Sequence, residues 1–176
     1  MRRFALPLLS CVLIFAASSA GAADEVKPTT DVCSLLTSDE IQAVTGEAVK
    51  ESKSASQAEG GFLISQCQYE FEKATDTIVL RLVQRGSGED ARDPRETWKE
   101  AFARDLKKAI AERKKGRPEE VKDLGDEAFW MGGRTSGGLY VLKGNQHFRL
   151  MLGGEPSQPQ KIENASRLAR SILQRL

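Results

Sequence analysis

Residues 66–72 read Q-C-Q-Y-E-F-E. Cys67, Tyr69 and Phe71 fall in one phase, and Gln66, Gln68, Glu70 and Glu72 in the other. A period of two with one apolar and one polar side marks a half-buried antiparallel strand. Cys67 therefore faces a core, between positions that carry aromatics. Downstream, Lys73-Ala74-Thr75-Asp76 reads as a hairpin connection. The run T-I-V-L-R-L-V-Q-R (residues 77–85) then continues the pattern, with Ile78, Leu80 and Leu82 inward. Upstream, residues 51–61 (E-S-K-S-A-S-Q-A-E-G-G) are polar and rich in Gly and Ser, and read as a loop.

Ahead of that loop lies a first helix. Thr37 and Glu40 fit the capping box S/T-x-x-E. Ile41 and Val44 supply a short apolar stripe, with Leu36 just before the cap. Gly46 stands where helices end in a left-handed residue. After residue 85, G-S-G-E-D-A-R-D-P reads as a second loop. A long helix follows, from about Arg95 to Lys115, with Trp98, Phe102, Leu106, Ala109 and Ile110 at helical spacing. Gly116 and Pro118 stop it.

The second half repeats this outline. Asp126–Met131 (D-E-A-F-W-M) is a candidate strand. The strand G-L-Y-V-L-K meets Gly144-Asn145, which suits a tight hairpin. Q-H-F-R-L-M-L returns with Phe148, Leu150 and Leu152 on one side. A last helix spans Pro159 to Leu176, with Ile162, Ala165, Ala169, Ile172, Leu173 and Leu176 as its stripe. The expected fold is α+β in the order α-ββα-(β)ββα: an antiparallel sheet of four or five strands, with helices packed on one face and the other face partly open.

The chain has 176 residues. Residues 1–22 have the form of a secretory signal peptide. Arg2 and Arg3 are its charged end, Leu6–Ala17 its apolar run, and Ala20-Gly21-Ala22 its small residues before cleavage. Cys11 sits in a poor and early lipobox. Residues 23–31 read as a flexible leader and residues 32–176 as a single domain. Without Arg2 and Arg3, the 26 Lys plus Arg become 24 against 25 Asp plus Glu, a net charge near −1. That balance argues against nucleic acid as a partner. No later stretch reaches the roughly 20 apolar residues of a membrane span. The product is expected in the periplasm or outside the cell. There the two remaining cysteines, Cys33 and Cys67, are most simply a disulfide.

Several motifs together resemble a known group. They are C-S-L-L-T-S-D-E-I near the mature start, C-Q-Y in the first strand, L-G-D-E-A-F-W, G-L-Y-V-L-K-G-N, and E-N-A-S-R-L-A-R at the end. This chain is similar to small exported bacterial proteins of unknown function, including actinobacterial lipoproteins and extracellular sensor-like domains. The resemblance runs in order from Cys33 to the C-terminus. It implies a Cys33–Cys67 bridge and carries no ligand set.

The chemistry-bearing residues are few. His147 is the single histidine and reads as a solvated strand residue. With two paired cysteines it leaves no zinc constellation, and no cofactor is expected. Asp123, Asp126 and Glu127 cluster in D-L-G-D-E-A-F-W. A hydrolase-like site would combine them with His147. The bland reading is an acidic turn that enters a strand. The glycine pairs match neither a Walker loop nor a dinucleotide fingerprint.

The leading expectation is a non-enzymatic envelope binding module that engages a protein partner or a small ligand. Its candidate contact residues are Trp98, Trp130, Tyr140 and the basic helix end with Lys107, Lys108, Lys114 and Lys115. A purely structural envelope protein is the third reading.

Overall fold

The computed structural model describes residues 31–72, 77–100, 118–132, 137–154 and 157–176. Residues 1–30, with the expected signal peptide and most of the expected leader, lie outside the described residues. So do residues 73–76, expected as a hairpin connection, and residues 101–117, the rest of the expected long helix, with Lys107, Lys108, Lys114 and Lys115.

The described chain opens with a 3₁₀ turn at Val32–Leu35, capped by the Asp31 carboxylate, which accepts from the Cys33 amide at 3.0 Å. Helix α1 (Ser38–Thr45) follows directly. Its capping box forms as the sequence predicts. Thr37 Oγ1 accepts from the Glu40 amide at 3.2 Å, and Glu40 Oε2 accepts from the Thr37 amide at 3.0 Å. Gly46 closes the helix in the left-handed conformation at φ 81°. Helix α2 begins at residue 94 and is described to residue 100. Asp93 caps it by accepting from the Arg95 amide at 2.9 Å, and Pro94 takes the first turn, where no amide hydrogen is needed. Helix α3 (Gln158–Leu173) ends the fold.

Seven strands form one antiparallel sheet: β1 (Val49–Glu59), β2 (Phe62–Phe71), β3 (Thr77–Arg85), β4 (Glu119–Glu120), β5 (Glu127–Gly132), β6 (Gly137–Lys143) and β7 (Gln146–Leu152). Their spatial order is β1-β2-β3-β7-β6-β5-β4. The α+β class holds, but the sheet has seven strands where four or five were expected. Most of the difference comes from two edge strands. β4 is only two residues long. β1 takes up most of the stretch 51–61 that reads as a loop. It joins β2 through the two-residue turn Gly60-Gly61, at φ 57° and 85°. Two positive φ values in a two-residue turn match the right-handed twist of the flanking strands, and glycine takes both without strain.

The inner face of the sheet carries the main core. Across it run Cys67, Leu80, Leu150, Leu139 and Trp130 in one register row, and Ser65, Leu82, Phe148, Val141 and Ala128 in the next. Val32, Leu35, Ile41, Ala165, Leu168, Ala169 and Ile172 from the helical layer pack into the same cluster. Cys33 and Cys67 are bridged, with Cα atoms 5.2 Å apart, so the 3₁₀ turn is tied to the middle of β2. The Tyr69 hydroxyl adds to this tie by donating to the Cys33 and Leu36 carbonyls at 3.1 and 3.3 Å. Burial, with the Asp31 and Glu40 carboxylates nearby, pushes its pKa up. At the far end of the chain, Arg175 grips both oxygens of Glu40, at 3.0 and 2.9 Å, and the Leu35 carbonyl at 3.1 Å.

The helices do not all lie on one face. Trp98 of α2 packs against Phe129 and His147, which project from the outer side of β5 and β7. Leu142 on the same side of β6 is buried as well. The reason lies in β6, where Leu139 and Val141 face one way and Tyr140 and Leu142 the other. A strand apolar in both phases needs cover on both sides.

Candidate functional site

The acidic segment before β5 is built into the scaffold. Asp126 Oδ2 accepts from the Arg95 guanidinium and from the Gly144 amide, each at 2.8 Å. Arg95 Nε donates to the Gly144 carbonyl at 3.1 Å. These three groups lock the start of α2 to the β6–β7 turn. Glu127 Oε2 accepts from Trp98 Nε1 at 3.0 Å. Asp123 is exposed and holds the left-handed conformation, at φ 61°. The segment Glu120–Phe129 encloses a depression of about 560 Å³. Among the described residues, no three His, Cys, Asp or Glu side chains gather to hold a metal ion.

His147 is not the solvated residue that its strand position suggests. Its ring stacks obliquely on Trp98, with centroids 5.5 Å apart. Burial, reinforced by the positive charge of Arg81, lowers its pKa to about 4, so the imidazole is neutral at pH 7. The correction has a plain cause: β7 is a central strand, and Trp98 covers its outer side at this point.

Both tryptophans named as candidate contacts are interior. Trp98 keeps 2% of its surface and Trp130 none. The Trp130 ring lies across Gly137, where an added Cβ would overlap its six-membered ring. Tyr140 is half-buried on the outer face and carries the Arg149 guanidinium over its ring at 5.0 Å.

The outer face is different over β1, β2 and β3. Ala55, Gln57 and Arg81 are exposed there, and Ile64 and Gln66 are half-buried. With Ser56 they line a groove of about 220 Å³. One register row crosses this face from Ala55 through Gln66, Arg81, Arg149 and Tyr140 to Phe129. Sequence reasoning did not single out Arg81 or Arg149. The signal was present: Arg81 interrupts the apolar run I-V-L-R-L-V and Arg149 the run F-R-L-M-L, each in the phase opposite the core residues.

Comparison with known proteins returns no match: no family model fits the chain, and no curated protein or solved structure is significantly similar to it.

Proposed function

We propose that this chain is an exported, non-enzymatic binding module of the bacterial envelope that engages a protein partner or a small ligand through the outer face of β1–β3. The observation that carries this reading is the groove lined by Ala55, Gln57, Ile64, Gln66 and Arg81, on a part of the sheet that no described helix covers. The form of residues 1–22, the Cys33–Cys67 disulfide and the resemblance to small exported lipoproteins and sensor-like domains support export. Among the described residues, no helix is long and apolar enough to cross a membrane. A hydrolase built on Asp123, Asp126 and Glu127 with His147 would need a carboxylate beside the imidazole. Asp126 and Glu127 are instead held by Arg95, Gly144 and Trp98.

The test is retention on the immobilised, disulfide-bonded chain from residue 23, compared with an Ala55→Trp variant that fills the groove. A specific envelope protein or small molecule held by the wild type and lost by the variant is the expected result. Equal retention by both, or none by either, overturns the proposal. Mass spectrometry of the exported product should give a chain that starts after residue 22 or 23; a retained leader would contradict cleavage.

A further inference from the structure

Arg81 of β3 and Arg149 of β7 are direct cross-strand partners on the outer face. Like charges placed opposite each other weaken an antiparallel pair. A nearby carboxylate would relieve this, but among the described residues neither arginine makes a salt bridge. Their lateral neighbours are Gln66 and Tyr140. The rows on either side hold Gln68, Val79, Met151 and Gly138, then Ile64, Val83, His147 and Leu142. That block contains no acid. The closest acid along β2, Glu70, is engaged by Lys53 at 3.0 Å.

Arg149 is also held in place. Arg149 lies over the Tyr140 ring. A Cβ at position 138 would stand 3.1 Å from Arg149 Nε, so Gly138 leaves the room that this side chain uses. Arg149 Nε is buried and donates to no acceptor. A buried donor without a partner costs about 1–3 kcal/mol, and more when charged. Two guanidiniums without acids among the described residues, backed by an aromatic ring and flanked by a carboxamide, match the fork that recognises carboxylate or phosphate oxygens.

We infer that Arg81 and Arg149 form an oxyanion-binding site, which receives a carboxylate or phosphate group carried by the ligand of the outer face. This inference rests on the binding-module reading and names the chemistry of what is bound. The anion bridges the two guanidiniums and removes their mutual repulsion, and the Gln66 amide lines its approach from the groove.

The experiment follows the arginine Nε–H signals by NMR while inorganic phosphate, acetate or sodium chloride is added at matched ionic strength. Saturable shifts of the Arg81 and Arg149 signals with phosphate indicate a phosphate-bearing ligand, and with acetate a carboxylate. Shifts no larger than those with chloride, or equal shifts in Arg81→Gln, overturn the inference. Arg81 is exposed, so Arg81→Gln folds. It is expected to lose the anion response and to melt no lower than wild type in low salt, since the repulsion is gone. A lower melting temperature together with an unchanged anion response would reveal a structural role only. Arg149→Lys keeps the charge but loses the fork, and binding should weaken about tenfold. If neither anion binds while retention still depends on the groove, this inference falls and the binding-surface reading stands. If the anion binds while retention ignores the groove, the binding-surface reading fails.

Discussion

Replacing Glu40 by Gln isolates the charge in the contact that joins the two ends of the domain. Glu40 belongs to the capping box of α1, and its carboxylate is gripped by Arg175 through two hydrogen bonds. Partial burial alone would raise its pKa. Hydrogen bonds from Arg175, the Thr37 amide and the Ser171 and Thr37 hydroxyls outweigh that and hold it at about 2, against 4.5 for a free side chain. At 1.36 kcal/mol per unit the difference corresponds to a ceiling of about 3 kcal/mol. The Glu40 side chain keeps 28% of its surface and Arg175 keeps 36%, so solvent screening reduces the contribution to about 1–2 kcal/mol. Gln preserves the capping-box geometry, so the loss reports the charge. The folded pKa lies below the unfolded one. The contribution is therefore complete above pH 4.5 and disappears as pH falls toward 2. Urea denaturation of wild type and Glu40→Gln at pH 7, 5, 4 and 3 should show a gap of about 1–2 kcal/mol at pH 7 that closes below pH 4.5. His147 also destabilises the fold on acidification, but equally in both proteins, so it cancels from the gap. A gap below about 0.3 kcal/mol at pH 7, or one as wide at pH 3 as at pH 7, would refute the reasoning.

Three other outcomes are expected. Removing the bridge with Cys33→Ala and Cys67→Ala should cost about 3–4 kcal/mol, because the cysteines are 34 residues apart and the open loop regains that chain entropy; unchanged denaturation midpoints would contradict this. Gly137→Ala should lose about 1–3 kcal/mol, as the new methyl group meets the Trp130 ring, with a changed Trp130 environment in near-UV circular dichroism; a variant as stable as wild type would show that the ring has room to move. The His147 imidazole should stay neutral from pH 8 to pH 5 in an NMR titration, since its folded pKa of about 4 lies below the free value of 6.5. The unfolded chain gains its proton first, so stability falls as pH drops from 6.5 toward 4, and a native midpoint above 6 would disprove the burial argument.

The parts of the fold that read clearly from sequence are those where a local rule and the tertiary environment agree. The α1 cap, the Gly46 terminus, the inward phases of β2, β3 and β7 and the Gly144-Asn145 turn all follow from side-chain pattern. β1 does not, because its pairing rests on backbone hydrogen bonds with β2, while water bathes most of its side chains on both faces. Such a strand has no apolar period to detect. Only the Gly60-Gly61 dipeptide announced it. The cover on the outer face was half legible. β6 is apolar in both phases, yet Trp98 fits a helix stripe against either face equally well. The candidate site was harder still. The eye goes to His147 and the acids because such residues perform chemistry elsewhere, but Trp98, Arg95 and Gly144 engage the imidazole, Glu127 and Asp126 as structural contacts. Arg81 and Arg149 look like ordinary outward strand residues until the register sets them side by side.

That register also gives the reason for proposing recognition at one end of the sheet. The inner face is closed by α1 and α3, and the disulfide, the Tyr69 hydroxyl and the Glu40–Arg175 pair hold that layer down. At the β5–β7 end, Trp98 and the Asp126 contacts close the outer face as well. Among the described residues, the outer side of β1–β3 is thus the part of the sheet backed by a braced layer and not covered by a helix. Arg149 sits at the border between the covered and open halves. Its strand is paired on both sides, Tyr140 and Gly138 fix where its side chain lies, and Arg81 extends from the neighbouring strand into the groove. Binding then costs little rotamer freedom at Arg149 and more at the exposed Arg81. In the proposed site, the held inner arginine would supply direction and the exposed outer one capture, and a shared anion would gain from both.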